Sequence, residues 1–384
     1  MKRIPLFCAL CACSLLAGCF DFSPDGTQIA VSNVLASSGS ARDAAASIVG
    51  TSDGVLQALP DAKGGYGPKW SPDGRSILFR KKSDQPHGKQ PFTNELWQVD
   101  LASKTSWRVQ GDFQHTLDFS WRDDSRQWVG WDNGEQEQRS VFWFDSQTQK
   151  VVRRVVLPLG LYLKGQFQFL SNSQEIVFQA EGHGGTNLFR TRKTGVERLT
   201  TTGDVRAFRL LPSLRLVWAR TPNFKRSNQM SLFGASLGSR LVQVARMPFS
   251  SAPVEADPVR DWNTGFQIAI SPDARQLALC DTFRSPWLDA KKQPQQFGMC
   301  LLMNADGTNR RELHRTQLHP TPLGRDQQEW GGGPTELSAQ WSRDGQRLAL
   351  LDEHQNPRRF FVFNVRGDLV ANVALPLVKA QPTP

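Results

Sequence analysis

No stretch of this chain repeats its apolar residues with the helical period, which excludes a mixed fold resting on helices. The uncharged apolar run Ile4 to Leu16 is too short to span a membrane as a helix. Cysteine is scarce: of six, Cys8, Cys11 and Cys13 lie in that run, Cys19 follows it closely, and only Cys280 and Cys300 remain in the body. Histidine is scarce too, and His87, His115, His183, His314, His319 and His354 show no recognised zinc-ligand spacing, so no metal and no cofactor are expected. Tyr is nearly missing at 2, but Phe 23 and Trp 12 supply apolar bulk enough for a substantial core and exclude a disordered chain.

What is present is a repeated string. Trp70-Ser71-Pro72-Asp73-Gly74-Arg75 precedes Ser76-Ile77-Leu78-Phe79, and Phe22-Ser23-Pro24-Asp25-Gly26-Thr27 precedes Ile29-Ala30-Val31. Ser271-Pro272-Asp273-Ala274-Arg275 precedes Leu277-Ala278-Leu279, and Trp341-Ser342-Arg343-Asp344-Gly345-Gln346-Arg347 precedes Leu348-Ala349-Leu350. The string has a mechanical purpose. Pro presets the turn backbone, Asp bonds its own backbone two residues on, and Gly accepts a positive φ, so the flanking strands reverse tightly. The aromatic before the turn is placed to pack between neighbouring sheets.

Three weaker copies begin at Trp121-Arg122-Asp123-Asp124-Ser125, Phe169-Leu170-Ser171-Asn172-Ser173 and Leu211-Pro212-Ser213. Each copy is followed by one Ile/Leu-rich strand, one aromatic-rich strand and one Val/Leu strand; in the fifth unit the fourth strand is read as Leu241 to Val244. Four-stranded antiparallel sheets recurring at this spacing predict an all-β fold, a β-propeller of seven blades, with six or eight left open by the weak copies. Asp118, Asp123 and Asp124 are read as turn formers. Gly50-Thr51-Ser52-Asp53-Gly54 has the glycine-serine-glycine spacing of a hydrolase nucleophile elbow, but it stands between two short strands of unit one, where that elbow needs a following helix. No catalytic residue is assigned.

At the start, Lys2 and Arg3 precede the apolar run, and Leu16-Ala17-Gly18-Cys19 follows it. This resembles the lipobox of bacterial lipoproteins, and the resemblance implies a signal peptide over residues 1–18 and a diacylglycerol on Cys19. Phe20 in place of Asp implies an address at the outer membrane, facing the periplasm. The propeller is then expected over residues 19–377, with a flexible tail at 378–384. The formal charge of +10 would suggest nucleic acid for a cytoplasmic protein, but an exported one has no such partner. Loss of the leader removes two positive charges and no acid, leaving +8, which either attracts anionic headgroups or serves only solubility. The oxidising compartment permits a Cys280–Cys300 disulfide; a buried apolar pair suits the same positions.

The repeat itself resembles that of TolB-type propellers, also called PD40 or WD40-like repeats, over nearly all of Phe20 to Leu377. That family implies a propeller that often serves periplasmic assembly, and its motif names no substrate. Recognition then falls to the long segments opposite the motif turns: Arg80 to Thr93, Arg220 to Asn228, Arg246 to Gly265, Asp281 to Phe297 and His314 to Pro334. They carry Lys81, Lys82, Arg220, Arg260, Trp262, Arg284, Trp287, Lys291, Lys292, Arg325 and Trp330. Basic residues mixed with Trp suit a protein or anionic-glycan surface, and equally suit solvated loops whose Trp rest on their own blades. Two functions follow: a lipid-anchored, non-enzymatic scaffold for an envelope protein or peptidoglycan, or a glycan-directed lyase or hydrolase with acids and His gathered in the central channel.

Overall fold

The computed structural model describes residues 20–33, 45–83, 93–110, 116–132, 139–170, 173–213, 215–220, 229–237, 245–250, 257–258, 267–288, 294–318, 337–352, 355 and 358–375. They form seven antiparallel sheets, each from consecutive strands. Blade 1 holds β1 (Phe20–Phe22), β2 (Gln28–Asn33), β3 (Ala45–Gly50) and β4 (Leu56–Lys63). Blade 2 holds β5 (Gly65–Trp70), β6 (Ser76–Ser83), β7 (Thr93–Asp100) and β8 (Thr105–Arg108). Blade 3 holds β9 (Thr116–Trp121), β10 (Gln127–Asp132), β11 (Ser140–Asp145) and β12 (Lys150–Val156). Blade 4 holds β13 (Tyr162–Phe169), β14 (Ile176–Gly182), β15 (Gly185–Arg192) and β16 (Gly195–Arg198). Blade 5 holds β17 (Val205–Leu210), β18 (Arg215–Arg220), β19 (Gln229–Ser236) and β20 (Ala245–Ser250). Blade 6 holds β21 (Asp257–Pro258), β22 (Gln267–Ile270), β23 (Gln276–Leu288), β24 (Pro294–Asn304) and β25 (Arg311–Leu318). Blade 7 holds β26 (Leu337–Trp341), β27 (Arg347–Asp352), β28 (Arg359–Asn364) and β29 (Leu369–Ala374). The fold is a seven-bladed β-propeller, which resolves the blade count.

The motif turns are near-copies in three dimensions. The Ser71 hydroxyl donates to Asp73 Oδ1 at 2.6 Å and accepts from Ser76 N at 2.9 Å, while Arg75 N donates to Asp73 Oδ1 at 3.0 Å. Ser23, Ser271 and Ser342 make the same bonds to Asp25, Asp273 and Asp344, each at 2.6 Å. The Ser23 hydroxyl, and after it the Thr27 N–H, hold the Asp25 carboxyl below its ordinary value. In each turn the third residue after Ser takes a left-handed backbone: Gly74 at φ +73°, Gly345 at +72°, and non-glycine Ala274 at 57° and Ser125 at 56°. Blade 3 therefore keeps the turn after losing its Ser, Pro and Gly.

The core lies between the blades. Seven apolar clusters fill the seven seams, and each draws residues from two successive blades. Trp70, Trp121 and Trp341 pack back onto the preceding blade, at 5%, 6% and 6% exposure. The Trp121 indole donates to Lys69 O and the Trp341 indole to Ala269 O, equivalent carbonyls one blade back. Among the described residues the ring closes without an exchanged strand. Phe20, Phe22 and Val31 of blade 1 pack with Leu351, Phe360 and Val362 of blade 7, and Arg347 donates to Gly26 O at 2.8 Å and to Thr51 Oγ1 at 2.5 Å.

Three readings are corrected. The fourth strand of blade 5 is Ala245–Ser250, not Leu241 to Val244. Blade 6 has five strands, because β21 pairs with the far end of β23. Both ends of the stretch Asp281 to Phe297, read as a loop, are strand: β23 and β24 run on as a ladder to the Leu288–Pro294 pair. Cys19 and residues 376–384 lie outside the described residues.

Candidate functional site

Two surfaces can carry function: the channel wall, and the face opposite the motif turns. The inner strands β1, β5, β9, β13, β17, β22 and β26 form the wall. Inner strands of neighbouring blades lie in different sheets and share no ladder, so side chains must staple them. In three blades the residue before the motif aromatic supplies a staple. Asp21 accepts from Trp70 N at 2.8 Å and from Gln340 at 2.6 Å, which links blades 7, 1 and 2. Gln168 accepts from Leu210 N at 2.6 Å and donates to Phe208 O at 3.2 Å. Lys69 and Arg209 hold the same position in blades 2 and 5, and all five side chains are partly exposed.

Charges of both signs meet along this wall. Burial pushes the Asp118 carboxyl above its ordinary value, against the pull of Lys69 and Arg80. The Arg80 guanidinium sits 4.5 Å over the Tyr66 ring, and burial raises the Tyr66 phenol. At the motif-turn end, Arg343 and Asp123 occupy the position where Pro24, Pro72 and Pro272 stand, and face each other at 3.8 Å. Burial, and then Arg343, disfavour the charged form of Arg209, while Asp123 favours it. Of the three acids read as turn formers, Asp123 and Asp124 stand in the turn, where the Asp124 Oδ1 accepts from Arg126 N at 3.0 Å, and Asp118 does not. Asp118 belongs to the channel, and Asp123 to a pair between two distant blades. The motif departures at Asp123 and Arg343 were the sequence signal for that pair.

The glycine-flanked Ser52 stands in the β3–β4 turn. Of the histidines, His183 lies at the β14–β15 turn, and His314 lies at the blade 6–7 seam. There His314 Nε2 is 2.8 Å from Asp352 Oδ2, with its ring stacked 4.1 Å from Phe361. His87, His115, His319 and His354 lie outside the described residues. Among the described residues no group of three or more His, Cys, Asp or Glu could hold a metal ion.

The opposite face carries the β2–β3, β6–β7 and β23–β24 ends and the links from one blade to the next. Among the described residues its longest strands form the β23–β24 hairpin, of 13 and 11 residues. Cys280 and Cys300 are register partners near its base and are joined by a disulfide. Arg284 and Trp287 lie on β23, and Lys82 on β6, as strand residues whose side chains are outside the described set. Arg260, Trp262, Lys291, Lys292, Arg325 and Trp330 lie outside the described residues altogether. Lys81 lies on its own blade, 4.5 Å over the Trp97 ring with Nζ 3.2 Å from Asp61 O. Arg220 is fixed by Asp204 at 2.7 and 2.9 Å and lies 4.8 Å over Phe233. Of the predicted cations, only Lys81 and Arg220 have described side chains, and each is engaged locally. The structure also shows Leu159, 84% exposed on the blade 3–4 link, and Tyr162 beside it, 48% exposed, neither singled out by sequence. A leucine in the turn Pro158-Leu159-Gly160 was the available signal.

No protein-family model matches the chain, and no curated protein matches it in sequence. Solved structures do match in shape. An oligogalacturonate lyase from Vibrio parahaemolyticus superposes with a TM-score of 0.57 at 12% identity, over 90% of this chain and 88% of that one. The β-propeller domain of the trilobed protease from Pyrococcus furiosus, described as having an open velcro topology, gives 0.54 at 11% identity, over 94% and 97%. TolB from Acinetobacter baumannii gives 0.45 at 14% identity, over 78% of this chain and 65% of that one. At such identities the likeness is one of architecture: the chain is a seven-bladed β-propeller whose fold is shared, at low identity, with an oligogalacturonate lyase and with the propeller domain of a protease.

Proposed function

We propose that this chain is a lipid-anchored, non-enzymatic scaffold of the bacterial envelope, placed at the outer membrane, that holds an envelope protein or peptidoglycan on the face opposite its motif turns. The β23–β24 hairpin carries the reading. Two long paired strands rise past the end of their blade, a disulfide ties them near the base, and β21 adds a third strand at Arg284 and Phe283. An element held in this way presents its side chains at little entropic cost on binding. The channel wall supports the same reading, because Asp21, Gln168 and Gln340 are engaged in stapling the ring.

The test is capture from envelope extract with the acylated protein. A partner retained by the wild type and lost from a Lys291→Glu, Lys292→Glu variant supports the scaffold. Nothing retained beyond controls, together with turnover of an acidic polysaccharide, would replace it with the lyase or hydrolase reading.

A further inference from the structure

The position of Phe20 fixes where a lipid on Cys19 would leave the body. Phe20 is the first residue of β1, the innermost strand of blade 1; it is 3% exposed and packs 5.0 Å from Phe360. β1 runs toward the motif turn Ser23-Pro24-Asp25-Gly26, and its first residue pairs with Val31, near the end of β2. The chain therefore enters at the channel mouth on the face opposite the motif turns. Consecutive Cα atoms are about 3.8 Å apart, so a single Cα–Cα step separates the lipid-bearing position from the residue whose ring is buried. A body tethered this closely cannot tumble freely above a bilayer; one face must lie against it.

The same face carries its own membrane-seeking chemistry. Leu159, the most exposed large apolar residue described, stands on the blade 3–4 link at 84% exposure, with Val156 at 49% and Tyr162 at 48% close by in sequence. The Arg139 guanidinium lies 3.7 Å over the Tyr162 ring, and Lys164, ion-paired with Glu181, follows on the same strand at 41% side-chain exposure. An apolar tip beside an aromatic ring and cations is the composition that settles at the headgroup boundary, where amphipathic rings and basic side chains find both phases.

We propose that this face is the membrane-contacting face, with Leu159 and Tyr162 seated among the headgroups and the motif turns directed away from the bilayer. The proposal rests on the lipid-anchor reading above and narrows it: a partner held on this face is an envelope protein embedded in the same membrane rather than peptidoglycan.

The acylated full chain, reconstituted on phosphatidylethanolamine–phosphatidylglycerol vesicles, tests it. A polarity-sensitive dye is placed by Leu159→Cys, by Tyr162→Cys and, on a motif-face turn, by Asp306→Cys, with circular dichroism and the intact Cys280–Cys300 bond certifying each fold. The expected result is a blue shift and quenching by lipid-borne quencher at 159 and 162, and an unchanged spectrum at 306. A diacylglycerol found on the N-terminal peptide with positions 159 and 162 still in water overturns the orientation and leaves the anchor standing. An N-terminal peptide without diacylglycerol overturns the anchor and the orientation with it.

Discussion

The two faces of this ring are built by opposite rules. On the motif-turn face, blades 1, 2, 6 and 7 repeat one bonding scheme nearly atom for atom, with the Ser–Asp contact at 2.6 Å in all four. On the other face the described blade ends differ: blade 6 extends into a disulfide-tied hairpin, while blade 4 closes with Gly182 paired directly to Gly185. A repeated turn is geometry, the means by which a sheet reverses and meets its neighbour. Differences in strand length are largest at the other end, where β23 and β24 outrun the other strands described.

The comparison breaks first where the variable face proves structural. Gly203, at φ +76° on the blade 4–5 link, lies so close to Gly184 that an added Cβ would overlap the Gly184 carbonyl oxygen. Gly203→Ala should cost about 3–5 kcal/mol, read as a lowered urea midpoint. Replacing both Cys280 and Cys300 by Ser should cost about 2–4 kcal/mol, with mass analysis showing two free thiols in the wild type only after reduction.

On the conserved-geometry face, Ser342→Ala removes the acceptor for Arg347 N and the donor to Asp344 at a fully buried site. It should cost about 1–3 kcal/mol by the same measurement. Asp145, in the β11–β12 turn, has its carboxyl held down to about 2 by the Thr148 N–H, and by Arg126 and the Gln147 N–H. A depressed folded-state value stabilises above the ordinary carboxylate range, and that stabilisation is lost as pH falls toward about 2. Asp145→Asn should therefore lose less stability than the wild type between about pH 4 and 2. Smallest of all is Asp123→Asn, whose pair with Arg343 is solvent-exposed at 82% and 48%; denaturation should shift by less than about 1 kcal/mol.

The blades were legible in the sequence because each motif turn pairs a rigid local rule with apolar strands. Even degenerate unit three announced itself by Trp121 and Trp128, and Ser125 adopts the positive φ that Gly74 takes elsewhere. The fourth strand of blade 5 was misplaced because two apolar stretches follow β19, and pairing to β19, a long-range fact, selects Ala245–Ser250. The β23–β24 extension was hidden for a related reason: Arg284 and Gln296 read as loop residues until their pairing is seen. The polar groups of the channel wall escaped because Asp21, Lys69, Gln168 and Arg209 are scattered in sequence and line one wall only when the ring closes. Leu159 escaped because an apolar residue in a turn violates a polar expectation without naming what it meets.

The division of labour between the two faces is tested most directly by amide hydrogen exchange on the acylated chain, in detergent and on anionic vesicles. The account predicts new protection on vesicles around residues 156–164 and the Cys280–Cys300 hairpin, with the turns at 72–75, 272–275 and 343–346 unchanged. Protection appearing at those turns, with residues 156–164 exchanging as before, would contradict it.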